Sequence, residues 1–324
     1  ANVCLVNSCT SALTLAAHMC DIKPGDEVIT TAMTCMATNE PFFNMGAKLV
    51  FADIQKDTGN IDVNDIERKI TDKTKAIIMV HWAGQPCDID KINALAKKHN
   101  IKTIEDAAHA LRSTYMGKRI GSHSDYVCFS FQAVKHLSTG DGGAIACKTE
   151  EDAARIRKLR WFGLDRNFKA PPGQPPASRW EQDITESGYK FHMNNINACI
   201  GIEQMKNIDW LIDKHVANGK YYDENIHNPS VKTLSRNDSS TSGYWIYTIL
   251  VQDRQRFKKY LEQNGISSDV AHVRNDQYTC FKQFKTKNTS LDYFDKHQLN
   301  IPVGWWLTEE DRNHIVNTIN NYEQ

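Results

Sequence analysis

The sequence has no surplus of charge. Its 39 Lys and Arg residues are matched by 39 Asp and Glu residues, so no global field draws in nucleic acid or an anionic membrane, and any polyanion must be gripped locally. It contains no run of about eighteen apolar residues, the length a membrane-crossing helix needs. Its first residues, Ala1 to Val6, have neither the basic flank nor the length of a secretion signal. The strand-like run Val3–Val6 enters a small-residue turn directly, from which a missing N-terminal segment is expected. The nine cysteines (Cys4, Cys9, Cys20, Cys35, Cys87, Cys128, Cys147, Cys199 and Cys280) show no CxxC spacing, and no Cys/His pair has zinc-ligand spacing. They read as reduced core residues of a cytoplasmic protein, with no metal expected. Proline is scarce, 9 in all, and its one cluster, APPGQPPA at 170–177, predicts an exposed irregular loop.

What is present is an alternation. Up to about residue 150, short apolar runs alternate with amphipathic segments, the pattern of βα units around a mostly parallel sheet. Strands are predicted at Val3–Val6, Glu27–Thr30, Lys48–Ala52, Ala76–His81, Lys102–Glu105, Tyr126–Phe131 and Ala144–Cys147, and helices at Ser11–Cys20, Asn39–Met45, Val63–Lys69 and Ile89–His99. Apolar positions at Ile196, Ile200, Met205, Ile208 and Leu211 predict one long helix from about Asn195 through Val216. Beyond it, a strand (Tyr244–Val251), a helix (Arg254–Gln263), a polar loop (Arg274–Gln277) and a final helix from Glu309 describe a small α+β appendix. The fold class is therefore α/β, with a large domain over residues 1–210 and a smaller C-terminal domain over 211–324.

Three segments carry chemistry. Ile104–His109 (IEDAAH) follows a strand and so sits at the carboxyl end of the sheet, where open α/β folds bind ligands. There Asp106 suits either a helix cap or a partner for the protonated ring nitrogen of pyridoxal phosphate (PLP), whose pyridinium is an electron sink. Lys135 lies between an apolar strand and the Gly-rich run Gly140–Gly143. Partial desolvation there lowers an amine's pKa and favours imine chemistry with an aldehyde. Nearby Ser130 offers a phosphate a hydroxyl. The Gly-rich run has neither the GKS/T ending of a nucleotide-hydrolysing loop nor the GxGxxG dinucleotide pattern. The turn Asn7–Leu13 reads as an ordinary capping turn or as a phosphate cradle at a helix N-terminus.

Together these segments resemble the DegT/DnrJ/EryC1/StrS sugar aminotransferase family, a branch of the fold-type I PLP enzymes. The resemblance rests on Ser8-Cys9-Thr10-Ser11-Ala12-Leu13, Gly25–Ile29, Thr34-Cys35-Met36-Ala37-Thr38, Glu105–His109, Ser130–Gly143 and Gly188–Ala198, in that order along nearly the whole chain. It implies that Lys135 carries PLP as a Schiff base and later shuttles a proton, that Asp106 binds the pyridine nitrogen, and that His109 lies near the phenolic oxygen. Ser8, Cys9, Thr10 and Ser130 would hold the phosphate. Lys190–Asn194 would reach across a homodimer into the partner's site, with Lys190 and His192 replacing the Asn and Arg of the commoner GYNYRM form. Two further departures stand out: Cys9 replaces a glycine in the phosphate turn, and Cys35 replaces a ring-stacking aromatic.

The implied reaction moves an amino group from glutamate to a keto-sugar, best read as a nucleotide-linked 4-keto-6-deoxy sugar of the perosamine-synthase kind. Expected substrate contacts are His136, Arg166, Arg274 and Asn275, with Trp161, Phe162, Trp180, Trp305 and Trp306 as aromatic neighbours. Rival readings are an aminotransferase for an unlinked 8-keto-octulosonate, whose carboxylate Arg274 would bind, and a non-catalytic PLP-holding regulator. The family's dehydrating members carry histidine where this chain has Lys135.

Overall fold

The computed structural model describes residues 2–169, 172, 178 and 180–323. The expected proline loop at 170–177 therefore falls almost entirely outside the described residues. The chain opens with β1 (Val3–Val6), α1 (Cys9–Met19), β2 (Glu27–Thr31), α2 (Met36–Asn44), β3 (Lys48–Ala52), α3 (Val63–Lys69), β4 (Thr74–Val80), α4 (Ile89–Lys98) and β5 (Lys102–Asp106). Two short strands follow, β6 (Thr114–Tyr115) and β7 (Lys118–Arg119), then β8 (Tyr126–Ser130), β9 (Gly143–Cys147) and α5 (Glu150–Leu159). The C-terminal part contains α6 (Asn195–Met205), α7 (Ile208–Asn225), β10 (Val231–Thr233), β11 (Ser240–Thr241), β12 (Tyr247–Val251), α8 (Arg254–Gln263), α9 (Thr289–His297), β13 (Gln298–Ile301) and α10 (Glu309–Asn320).

Seven strands form one sheet in the order β1-β9-β8-β5-β4-β2-β3. The β2, β3, β4, β5 and β8 pairings are parallel, whereas β9 runs antiparallel to both β8 and β1, so β1 points the same way as the parallel set. Helices cover the sheet because their apolar faces demand it. In α4, Ile89, Ile92, Leu95 and Ala96 share one face and are buried. The start of α1 is fixed by Ser8, whose Oγ accepts the backbone N–H of Ser11 at 3.0 Å.

A second sheet, β10-β12-β13, is antiparallel and has its own core around Tyr222, Tyr247, Phe257, Leu299 and Ile319. The proposed domain boundary at residue 210 lies inside α7. Phe281, Leu291 and Phe294 pack into the core beneath the large sheet, and β11 joins β6 and β7 in a small separate sheet, so the C-terminal part is stitched to the N-terminal part at two places.

The single long helix expected from Asn195 to Val216 is two helices. At the break the Lys206 N–H donates to Glu203 O and the Asn207 N–H to Gln204 O, tight three-residue closures, before Leu211 N–H returns to Asn207 O and α7 begins. Ile196, Ile202 and Met205 consequently lie on the surface, 74, 63 and 62% exposed. Thr289–Ile301, unassigned from sequence, forms α9 and β13.

Candidate active site

Because β1, β2, β4, β5 and β8 all point one way, the turns that follow them meet at one edge of the sheet. That edge gathers Ser8–Thr10 after β1, Thr34–Thr38 after β2, Trp82–Gly84 after β4, Asp106 at the end of β5, and Ser130 at the end of β8. Open α/β sheets bind ligands at such an edge. Gly143 of β9 pairs with both Val6 and Ser130, drawing the first and last of these segments together. A Cβ at Gly143 would stand 2.7 Å from the Cys9 nitrogen and 2.6 Å from the Ser8 carbonyl carbon, so only glycine lets the α1 turn settle there.

Both carboxylate oxygens of Asp106 are held. Thr38 Oγ1 donates to Oδ2 at 2.6 Å and the Ala108 N–H to Oδ1 at 3.1 Å, so the carboxylate is fixed and 5% exposed. Lys135 lies near it. Desolvation by burial pulls the lysine pKa down to about 8, while Asp106, Cys9 and Cys35 push it back up. An amine with that balance is partly neutral at ordinary pH and therefore nucleophilic. His109 is buried, and burial followed by the field of Lys135 drives its pKa well down, keeping the ring neutral. Its Nδ1 has no hydrogen-bond partner among the described residues.

These features fit pyridoxal phosphate. The N–H groups of Cys9 and Thr10 have no acceptor among the described residues, as expected at a helix N-terminus that takes an anion. Ser8 is the helix cap, so the capping reading holds for its side chain while these N–H groups remain available. The half-buried Ser130 adds a hydroxyl, the fixed Asp106 a partner for a ring nitrogen, and the unpartnered His109 Nδ1 a group for a ring oxygen. Cys35 precedes α2 with its side chain exposed. It supplies no ring for stacking.

The expected substrate contacts divide. Arg166 is exposed, with its guanidinium 5.4 Å from the Trp161 ring, and His192 meets that same ring edge-on at 4.2 Å. Lys190 is exposed and bridges to Trp161 through the backbone. His136, by contrast, is 5% exposed and packs edge-on against His215 of α7 at 4.5 Å, so it serves the interior. Arg274 is no free cation either, since its guanidinium is bound by Asp276 and Asp292.

Asn275 is a fastener rather than a substrate contact. Its side chain donates to Thr34 O at 2.7 Å and accepts from Asn39 Nδ2 at 2.8 Å, while its backbone N–H donates to Ala32 O at 2.7 Å. This ties the C-terminal part to the loop that delivers Thr38 to Asp106. Asn275→Ala is expected to cost about 2 kcal/mol, because buried partners lose their hydrogen bonds; urea denaturation measures it.

Thr38, Trp245 and His272 belong to the site and were not predicted. Thr38 stood in the Thr34–Thr38 run, where a role could have been sought. Trp245 and His272 have no local signature. The Trp245 ring stacks on His109 at 3.9 Å, and His272 lies parallel to His109 at 5.5 Å.

Comparison with known proteins agrees with this geometry. Residues 1–320 match the profile of the DegT/DnrJ/EryC1/StrS aminotransferase family. The chain is 32% identical to the spore coat polysaccharide biosynthesis protein SpsC of Bacillus subtilis, over 97% of this chain and 83% of that protein. It is 31% identical to a UDP-4-amino-4,6-dideoxy-N-acetyl-beta-L-altrosamine transaminase of Campylobacter jejuni, over 98% and 84% of the two. Among solved structures, sugar aminotransferase CalS13 of Micromonospora echinospora superimposes with a TM-score of 0.92 at 33% identity, covering 98% of this chain and 87% of that one. Spr1654 of Streptococcus pneumoniae, a putative sugar aminotransferase solved in PLP and PMP forms, gives 0.88 at 29% identity, covering 98% of this chain and 85–86% of those. The chain belongs to the DegT/DnrJ/EryC1/StrS aminotransferase family and is a pyridoxal-phosphate-dependent aminotransferase.

Proposed function

We propose that the protein transfers the amino group of glutamate to the keto group of a nucleotide-linked 4-keto-6-deoxy sugar, and that it works as a homodimer. The observation that carries this reading is the convergence of a desolvated Lys135, a fixed Asp106 and the open N-terminus of α1 at one sheet edge. The nucleotide link is supported by the Campylobacter relative, whose name describes a UDP-sugar transaminase.

When bound, pyridoxal phosphate supplies an electron sink for a carbanion at the substrate carbon that exchanges its proton. Around it, the Cys9 and Thr10 N–H groups with the Ser130 hydroxyl would bind the phosphate, while the Ser8 hydroxyl is taken up by Ser11. Asp106, held by Thr38, keeps a proton on the pyridine nitrogen. His109, kept neutral by burial, would offer its unpartnered Nδ1 to a ring oxygen. Lys135 Nζ takes the proton from one carbon and returns it to another, a task suited to an amine that titrates near pH 8. Arg166 and Lys190 would form the cationic approach for a phosphorylated substrate or the partner's cofactor, with His192 beside them as a neutral ring, its pKa lowered by burial and then by these cations.

An unlinked sugar acid is the weaker reading, because the arginine meant for its carboxylate is already neutralised by Asp276 and Asp292. A non-catalytic role is weaker still, given the complete Lys135, Asp106 and Ser130 set.

The test is spectroscopic and then chemical. Glutamate should bleach the visible band of the PLP enzyme to that of the pyridoxamine form, and nucleotide-linked 4-keto sugars, but not unlinked keto-sugar acids, should restore it. Restoration only by an unlinked acid reverses the substrate assignment, and a band that glutamate leaves unchanged removes the transamination reading. For the dimer, the exposed apolar residues of α6, which directly follow Lys190–Asn194, are the proposed contact. Ile202→Asp should convert dimer to monomer in light scattering.

A further inference from the structure

Trp245 belongs to the C-terminal part of the chain, Lys135 to the large sheet, and the two meet. The lysine Nζ lies 3.3 Å from the centre of the Trp245 ring. His109 stacks on the same ring at 3.9 Å with 23° between planes. Two groups that close to one ring centre cannot share a face without colliding, so the indole is a partition with the imidazole on one side and the ammonium on the other. The indole is itself pinned, for Nε1 donates to Val134 O at 2.9 Å and the backbone N–H to Ala83 O at 3.2 Å.

The chain bends to aim it there. Tyr244 has φ 47, in the left-handed region that a bulky residue rarely enters. It is held by three independent bonds: its carbonyl accepts from His215 Nδ1 at 3.0 Å, its hydroxyl donates to Asp223 at 2.6 Å, and its N–H donates to Ser242 Oγ at 3.1 Å. Backbone strain that is fixed on several sides at once is a mark of a functional position. Gly243 fits the same bend, since a Cβ there would stand 2.9 Å from Leu111 O.

We propose that Trp245 is a positioning residue, the platform on which the Lys135 ammonium rests whenever its nitrogen is not bonded to the cofactor. The proposal rests on the assignment of Lys135 as the lysine that carries the cofactor. An amino-transfer cycle frees this lysine in every half-reaction, and the freed amine must stay close, in one orientation, and able to hold a proton. A π face attracts the charged form and not the neutral one. It therefore raises the lysine pKa against the desolvation that lowers it. The other groups acting on Lys135 are Asp106 at the end of β5, Cys9 in α1, Cys35 before α2, and the neutral rings of His109, His136 and His272. Of these, Asp106 is the one fixed charge.

The experiment uses the full chain stripped of cofactor, with trinitrobenzenesulfonate as the amine probe and peptide mass spectrometry to follow Lys135 alone. The pH midpoint of its labelling rate should fall by about one unit in Trp245→Leu, the size of a desolvated cation–π contact. It should fall less in Trp245→Phe, which keeps a smaller π face. A midpoint unchanged in Trp245→Leu overturns the proposal. If that variant fails to fold by circular dichroism, Trp245→Phe and Trp245→Tyr decide, and midpoints equal to wild type in both overturn it. Borohydride reduction of the PLP-loaded wild type separates the two claims: absence of a cofactor link at Lys135 removes the lysine assignment, whatever the midpoints do.

Discussion

Lys135→Ala is expected to abolish transamination, with a fall of about ten-thousandfold in the rate of the half-reaction with glutamate. The methyl group left behind can neither bond an aldehyde carbon nor carry a proton, and no neighbour can replace it. The nearby histidines are committed elsewhere, His109 stacked on Trp245 and His136 turned to His215 of α7. Cys9 beside the lysine does not substitute either, since burial drives its thiol well above the usual pKa. Stopped-flow absorbance with glutamate checks the loss, and borohydride should no longer fix cofactor to the chain. Far-ultraviolet circular dichroism should be unchanged, because Lys135 ends no helix and makes no ion pair within the described residues. A variant that retains a tenth of the wild-type rate would show that another group moves the proton.

The second large effect is expected at Asp106. Asp106→Asn keeps the shape and, with its amide turned, both neighbours, since Asn can donate to Thr38 and accept from the Ala108 N–H. What it loses is the negative charge that keeps a ring nitrogen protonated. The expected cost is about 100- to 1000-fold in rate, typical of removing one fixed charge or dipole aimed at a developing charge. The variant should nevertheless still bind cofactor through the α1 turn. A second consequence has a definite sign. Asp106 raises the Lys135 pKa, so its removal should move the lysine midpoint below about 8, whereas a purely structural role would leave that midpoint unchanged.

The parallel strands were legible because a fully buried strand is written as a short, continuous apolar run. Ala76–His81 and Tyr126–Phe131 read that way, and the strands found there, Thr74–Val80 and Tyr126–Ser130, both lie inside the sheet. Asp106 and Ser130 were legible for a related reason, as residues at the ends of such strands are delivered to the sheet edge by geometry alone. Legibility stopped where the answer depended on distant partners. His136 adjoins Lys135 in sequence, yet neighbouring side chains of a turn diverge, and this one enters the interior. Arg274 looked like an anion ligand until the fold supplied Asp292 from α9 beside its near neighbour Asp276. The α6–α7 break was hidden because its apolar residues continue a helical period that the structure leaves exposed on one side. Trp245 was beyond reach from sequence, for its direction depends on the unusual backbone of Tyr244.

The place of β1 at the sheet margin also governs the order of assembly. Among the described residues its one partner strand is β9, with Val3 opposite Ala146, and Val6 also bridges to His192, so β1 waits until the last strand of that sheet exists. Closing so long a loop carries an entropic cost that local pairings do not, and contacts this distant in sequence form slowly. The turn proposed to bind phosphate hangs from β1. On a growing chain, the proposed cofactor anchor would therefore be synthesised well before its partner strand and be among the last parts to take shape, leaving an unpaired strand open to wrong partners in the interval.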